Sequence, residues 1–286
     1  MERSDEGRER ALAGQLPRVA ASSYLNSAQV IWSFLHGSRR EQVRLLTDAA
    51  PARCADMLAR GEAEVALVPV IEYQRLPETL IVPDVCIGAR RAVRSVVLAT
   101  RCDDLKQVRT VALDESSRTS AALVQILFRE FFKQEIATTP RRPDLRAMLD
   151  EYDAALLIGD PAMIFPRENL RVYDLASLWR ELTGFGFVFA MWMAHADAAQ
   201  ALRAIDFAAA RDEGVAHTEE IITQYEAELG LPRAELRAYL HENLCYELNE
   251  EMRAGLDLYF QLARKHRLIE AVRPLQMLDE ETAENR

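Results

Sequence analysis

A chain of 286 residues with 49% hydrophobic and 28% charged side chains can bury one large core or two medium ones. Its 35 basic and 45 acidic side chains leave a formal charge of −10, which argues against a nucleic-acid partner, since that footprint needs a concentrated basic face. A small anion stays compatible, because local dipoles and one or two arginines can outweigh a distant negative surface.

No apolar run approaches the ~20 residues that cross a bilayer, and the longest, residues 185–194, is about strand length. The opening MERSDEGRERALAG carries charge without an apolar h-region and does not read as an export signal. A cytoplasmic protein with no membrane partner is expected. Cys54, Cys86, Cys102 and Cys245 are scattered with no CxxC pair, and reduced, buried thiols are the expectation for them.

In chain order, residues 1–16 read as a disordered, charged leader. RVAA predicts a short strand at 18–21, followed by a polar turn and a helix that starts near Asn26 or Ser27. A second short strand falls at 43–46, and Pro51 opens a helix that Gly61 closes. EVALVPVIEY reads as a buried strand running into a loop. SVVLAT and TVALDE are strands, and SSRTSAALVQILFREFF is a long amphipathic helix behind a cluster of hydroxyls. EYDAALLIGDPAM gives strand, sharp Gly-Asp turn and short helix; LWRELTG is a helix ending at Gly184; FGFVFAMWMA is a buried strand. From Asp197 onward the period is helical and no strand is evident. The apolar faces of that tail suit either packing within the chain or a homodimer contact. Two βα blocks and a helical tail predict an α/β protein of two lobes, with crossings near Arg94–Ser95 and in the 190–195 region.

The recurrent feature is a strand that ends in small polar residues just before a helix: SSYLNS, SSRTS and IGD. Unpaired N–H groups and the positive end of the helix dipole make such turns anion sites, and in an open α/β sheet they border a crevice. Each turn alone is equally well a helix cap. Asn26 is either an N-cap or an amide that orients a substrate oxygen, and Ser95 either a strand-edge hydroxyl or a ligand contact. Arg118 either pairs with a carboxylate or stands solvated, and Asp160 caps the PAMIF turn or faces the cleft.

Other groupings carry less. His241 and Cys245 are four apart, but two residues do not make a metal site, so no metal is expected. His217 with Glu219 and Glu220 fits the charged start of a helix. HExxH, GxSxG, a Walker loop and GxGxxG are missing from the sequence. Trp179, Phe185, Phe187, Phe189 and Trp192 read mostly as core, with one or two lining the cleft.

SSYLNS at 22–27, ALVPVIEY at 66–73, SVVL at 95–98, VALDESSRTSAAL at 111–123, ALLIGDPAM at 155–163, DLASLWRELTGFGFVFAMW at 174–192 and YLHENLCYELNEEMRAGLDLYF at 239–260 occur in the order of one family. With them the chain resembles the chorismate dehydratases of the futalosine-dependent menaquinone pathway. One departure is that SYLN is followed here by SAQVIW, where the family more often has Thr and a proline stretch; Ser27 keeps the hydroxyl.

The resemblance implies a two-lobe α/β fold of the type II periplasmic-binding-protein kind, with a ligand cleft between lobes and a helical C-terminal region. It divides the chain into a discontinuous first lobe, 17–94 plus 193–286, and a second lobe, 95–192. It implies a cofactor-free hydro-lyase that converts chorismate, a small dicarboxylate, into 3-(1-carboxyvinyloxy)benzoate and water. By the same resemblance Asn26 and Ser95 contact the substrate as catalytic residues. Ser117, Thr119 and Ser120 hold a carboxylate, with Ser23 and Arg118 assigned to binding, and Gly159 and Asp160 border the pocket. The other readings are a non-catalytic carboxylate sensor of the same fold and the pathway's sister enzyme acting on dehypoxanthine futalosine.

Overall fold

The structure, a computed structural model, describes residues 16–279. The leader expected at 1–16 lies, apart from Leu16, outside the described residues.

The first sheet is built from β1 (Arg18–Ser22), β2 (Arg44–Asp48), β3 (Val65–Pro69), β4 (Thr79–Ala89) and β10 (Phe187–His195), in the order β2-β1-β3-β10-β4. The second contains β5 (Val96–Thr100), β6 (Thr110–Asp114), β7 (Ala137–Arg141), β8 (Ala154–Ile158) and β9 (Arg171–Asp174), in the order β7-β6-β8-β5-β9. Each sheet has parallel pairs on one side, β1 with β2 and β3, and β6 with β7 and β8. One antiparallel strand, β10 or β5, follows on the other side. VALVP and AALLI are buried along their whole length, as parallel strands covered on both faces must be.

Helices α1 (Leu25–Leu35) and α2 (Pro51–Ala59) connect the parallel strands of the first sheet, and α3 (Arg118–Ile126) and α4 (Leu145–Glu151) those of the second. A four-residue α5 (Pro161–Ile164) follows β8, and α6 (Leu175–Thr183) ends as expected at Gly184, whose φ is +80°. The tail holds α7 (Ala199–Leu202), α8 (Phe207–Ala216), α9 (Thr218–Leu229), α10 (Arg233–Ala238) and α11 (Glu250–Lys265). DAAQALRAIDFAAARDEG is thus two helices, because Asp206 accepts from Ala209 N–H and starts α8 afresh. Gly214 lets α8 lie directly on α1: a Cβ there would stand 1.8 Å from the Gln29 carbonyl oxygen.

One expectation needs correction. The return from the second block to the first does not fall at 192/193, inside a strand. Every pairing of β10 is with β3 or β4, from Phe187↔Ala89 to His195↔Thr79, so the chain is back in the first sheet before Phe187. Among the described residues the tail forms no strand, as expected, but it touches the first sheet through isolated bridges. Cys245 exchanges backbone hydrogen bonds with Gly88, and Met277 bridges to Ile81. These segments cover the outer edge of β4, an edge that would otherwise offer unpaired groups to another chain.

Candidate functional site

The first wall of the site is the β1–α1 turn. Tyr24 is the N-cap residue of α1 and supplies no side-chain cap, so Asn26 lies inside the first turn and is not the cap. Ser22 Oγ pairs with Ser27 Oγ at 2.8 Å, and Ser27 Oγ donates to Asn26 Oδ1 at 3.0 Å. That chain fixes the amide by its oxygen and leaves the Nδ2 hydrogens for another acceptor. The tail braces the backbone: Tyr225 Oη donates to the Ser23 carbonyl at 2.8 Å, and Tyr246 Oη to the Asn26 carbonyl at 3.4 Å.

The second wall is the end of β8 with the β6–α3 turn. Gly159 has φ +62° and donates its N–H to the Ser95 carbonyl at 2.8 Å. Asp114, 1% exposed, accepts at Oδ1 from Ser116 N–H and Oγ and at Oδ2 from Ile158 N–H. It thereby ties the hydroxyl turn to the strand end. Ser117 is the N-cap residue of α3, but its side chain makes no cap bond. By contrast α4, α6, α8 and α11 carry side-chain caps from Asp144, Asp174, Asp206 and Asn249. The two helices that begin at the lobe boundary behind serine clusters therefore lack a side-chain cap of their own; the first N–H of α1 is met instead by a carboxylate of the second lobe, and the start of α3 stays available to an anion.

The lobes meet at these turns. Asp160 does not cap its own PAMIF turn, as one local reading had it. Its Oδ1 accepts from Leu25 N–H at 3.0 Å across the cleft, placing a carboxylate at the start of α1. A Cβ on Gly159 would lie 2.4 Å from the Tyr24 ring, so the ring rests on bare backbone. Thr119 Oγ1 accepts from Ile71 N–H at 3.3 Å, and Tyr259 Oη of α11 donates to the Thr119 carbonyl at 3.0 Å. Burial pushes the Asp160 carboxyl up to about 6, with Glu228 adding to the rise and the Leu25 N–H opposing it.

Of the two readings of Arg118, pairing with a carboxylate is the one the structure shows, and the carboxylates are the protein's own. Its guanidinium spans Glu72 Oε2 at 2.9 Å and Asp56 Oδ1 at 2.5 Å, both in the first lobe, so it clasps the two lobes together. Arg118→Ala is expected to cost about 1–3 kcal/mol in denaturant unfolding, because Glu72 is buried and loses a charged partner. Arg118→Lys should recover only part, since one ammonium cannot fork between two carboxylates; full stability in the alanine variant would contradict the clasp.

Ser95 is fully buried, and its Oγ takes the Tyr239 hydroxyl at 2.7 Å. Ser95→Ala should cost about 1–3 kcal/mol by stranding that hydroxyl. Adding Tyr239→Phe should return most of the loss in the same unfolding measurement; equal stability of Ser95→Ala and wild type would contradict the bond. Ser120 and Ser117 are buried in the first turn and cap of α3, and Ser23 is exposed.

A cavity of about 460 Å³ opens at the lobe boundary, lined among others by Tyr24, Arg53, Asp56, Ser116, Arg118 and Arg142. Asn26, Ser95 and Asp160 do not line it. Sequence reasoning missed Tyr225, Tyr239 and Tyr246, which reach the site from the tail, and Asp114, whose only signal was its place at a strand end. His241 and Cys245 line a separate cavity, and His217 stacks on Trp32 with ring centroids 3.7 Å apart. Trp179, Phe187, Phe189 and Trp192 are core. All four cysteines are free thiols. Among the described residues no three His, Cys, Asp or Glu side chains converge as metal ligands, and no helix is long and apolar enough to cross a membrane.

A family model described as menaquinone biosynthesis matches residues 17–265. The chorismate dehydratase of Thermus thermophilus is 31% identical over 251 residues, covering 78% of this chain and 88% of that protein. Among solved structures, a protein from Archaeoglobus fulgidus superposes with a TM-score of 0.73 at 18% identity, over 90% of this chain and 99% of that one. The periplasmic aliphatic sulphonate binding protein of Escherichia coli gives 0.62 at 15% identity, over 95% and 96%. At such identities these two bear on the fold alone: two α/β lobes of the periplasmic-binding-protein kind, here with a helical C-terminal region.

Proposed function

As the chain belongs to the menaquinone-biosynthesis family, matched over residues 17–265, we propose that it is a chorismate dehydratase, a hydro-lyase forming 3-(1-carboxyvinyloxy)benzoate and water. The observation that carries this is the 31% identity to a chorismate dehydratase over most of both chains. The site supports it with the uncapped start of α3 at the lobe boundary, an anion site suited to one carboxylate of the substrate.

The chemistry asks little of the protein beyond placement. The electrons of a ring C–H bond become a ring double bond while the C–O bond to the hydroxyl breaks, and aromatisation drives the exchange. The substrate's own enolpyruvyl carboxylate can take the ring proton. The protein then holds both carboxylates, excludes water and orients the departing hydroxyl, work done by positioning and fixed dipoles. Asn26 is assigned the hydroxyl through its unused Nδ2 hydrogens, and the first turn of α3 one carboxylate. Ser95 acts through the Gly159 backbone that it anchors.

The test presents the purified protein separately with chorismate and with dehypoxanthine futalosine, and identifies products by mass. Loss of one water from chorismate alone is the expected result. Conversion of the second compound alone would move the protein to the sister reaction, and unchanged recovery of both would make it a binding protein.

A further inference from the structure

Elimination of a hydroxyl group from a ring carbon at neutral pH needs a proton donor, because hydroxide is a poor leaving group. The protonated side chains at the lobe boundary can be taken in turn. Tyr24, Tyr225, Tyr239 and Tyr246 are all pushed above the usual tyrosine range, chiefly by burial, and are poorer acids than a free phenol. Arg118 is held by two carboxylates. Asp114 has both oxygens filled by three donors and serves as a fixed acceptor.

The histidines are placed elsewhere. His195 bonds the Leu58 carbonyl, His217 pairs with Glu220, His266 with Glu130, His36 follows the end of α1, and His241 lines the separate cavity. One group is left. Asp160 sits at the second wall, its Oδ1 fixed by the N–H of Leu25, the residue before Asn26. Its Oδ2 has no hydrogen-bond partner among the described residues, which makes it the oxygen that can carry and hand on a proton.

We infer that Asp160 is the general acid of the dehydration, delivering a proton from Oδ2 to the hydroxyl that Asn26 orients; this rests on the dehydratase reading. In the step the C–O bond breaks toward oxygen, which takes the Asp160 proton and leaves as water. The ring C–H electrons form the new double bond, and the ring proton passes to the substrate carboxylate. That proton restores Asp160, directly or through solvent when the lobes part, so the cycle is neutral.

The groups that face Asp160 are Tyr24 from the β1–α1 turn, Tyr225 and Glu228 from α9, and Tyr239 from the segment after α10. Burial and the Glu228 charge raise the carboxyl to about 6 in the unliganded protein, and an anionic substrate beside it raises it further. A general acid works in its protonated form. The sign is therefore fixed: kcat/KM falls tenfold per pH unit above about 6.

The test is Asp160→Asn, which keeps an oxygen acceptor for Leu25 N–H and removes the transferable proton. With chorismate, kcat should fall by roughly 100-fold or more, KM should change by less than about threefold, and the alkaline limb should vanish. Retention of more than about a third of the wild-type kcat with the limb intact would overturn the inference and leave Asp160 as a closure contact. The wild-type profile decides independently of whether the variant folds: a kcat/KM flat from pH 5 to 9 also overturns it. Wild-type protein that makes no product from chorismate fails the dehydratase reading itself, a result distinct from an active wild type with an active Asp160→Asn.

Discussion

Asn26→Ala lowers kcat on chorismate by about 100-fold or more and leaves the melting temperature within about 2 °C of wild type. Asn26 is half-buried, and among the described residues its side chain is engaged only by Ser27 Oγ, which keeps Ser22 Oγ as a second partner when the amide is removed. The backbone of the turn is held from outside by Tyr225 and Tyr246, so neither the helix start nor the core depends on the amide. The unused Nδ2 hydrogens are the only donors lost. Donors aimed at a developing or departing oxygen are worth roughly 10²–10³ in rate when removed. Steady-state kinetics with a parallel thermal melt separates the two quantities. Wild-type kcat in a folded Asn26→Ala protein would remove Asn26 from the reaction.

Gly159→Ala has the second large effect, and it acts on both folding and closure. At φ +62° an alanine pays a backbone penalty of about 1 kcal/mol. Its Cβ would also be 2.4 Å from the Tyr24 ring, a distance that forces the ring to move. Displacing Tyr24 pulls on the next peptide, whose N–H reaches Asp160. The variant should lose about 1–3 kcal/mol in urea unfolding and at least roughly tenfold in kcat/KM, because a small misplacement at a reacting centre is costly. Wild-type kcat/KM would show that this contact between lobes does not set the site.

Much of the architecture can be read from periodicity. β1, β3, β5, β6, β8 and β10 stand where short apolar runs meet turn residues, and Gly184 ends α6 as its sequence position suggests. β4 escaped because Pro83 and Asp84 interrupt TLIVPDVCIGA and look like a turn. In the sheet they lie on an edge strand at a register shift, with Asp84 at φ +60°, where a missing N–H and an irregular backbone are tolerated. β7 hid in the same way behind Pro140, on the edge of the second sheet.

The site was legible in part. Strand-end turns announce themselves by composition, and SSYLNS, SSRTS and IGD all lie at the lobe boundary. The partners of those turns could not be read from neighbours in sequence. Asp160 precedes Pro161 and looks like a local cap, but its Oδ1 is taken by Leu25, 135 residues away. Arg118 looks like a ligand for substrate, but Asp56 and Glu72 take it. Tyr239 reaches Ser95 from 144 residues off. Local spacing carries the turn chemistry, and only closure of one lobe on the other assigns the side chains.

The most direct test counts product molecules per protein molecule when chorismate is supplied in large excess and the reaction is followed by chromatography with mass detection. The account predicts many equivalents of 3-(1-carboxyvinyloxy)benzoate, formed at a rate proportional to protein concentration. Chorismate that binds stoichiometrically and is recovered unchanged from a folded sample would contradict it.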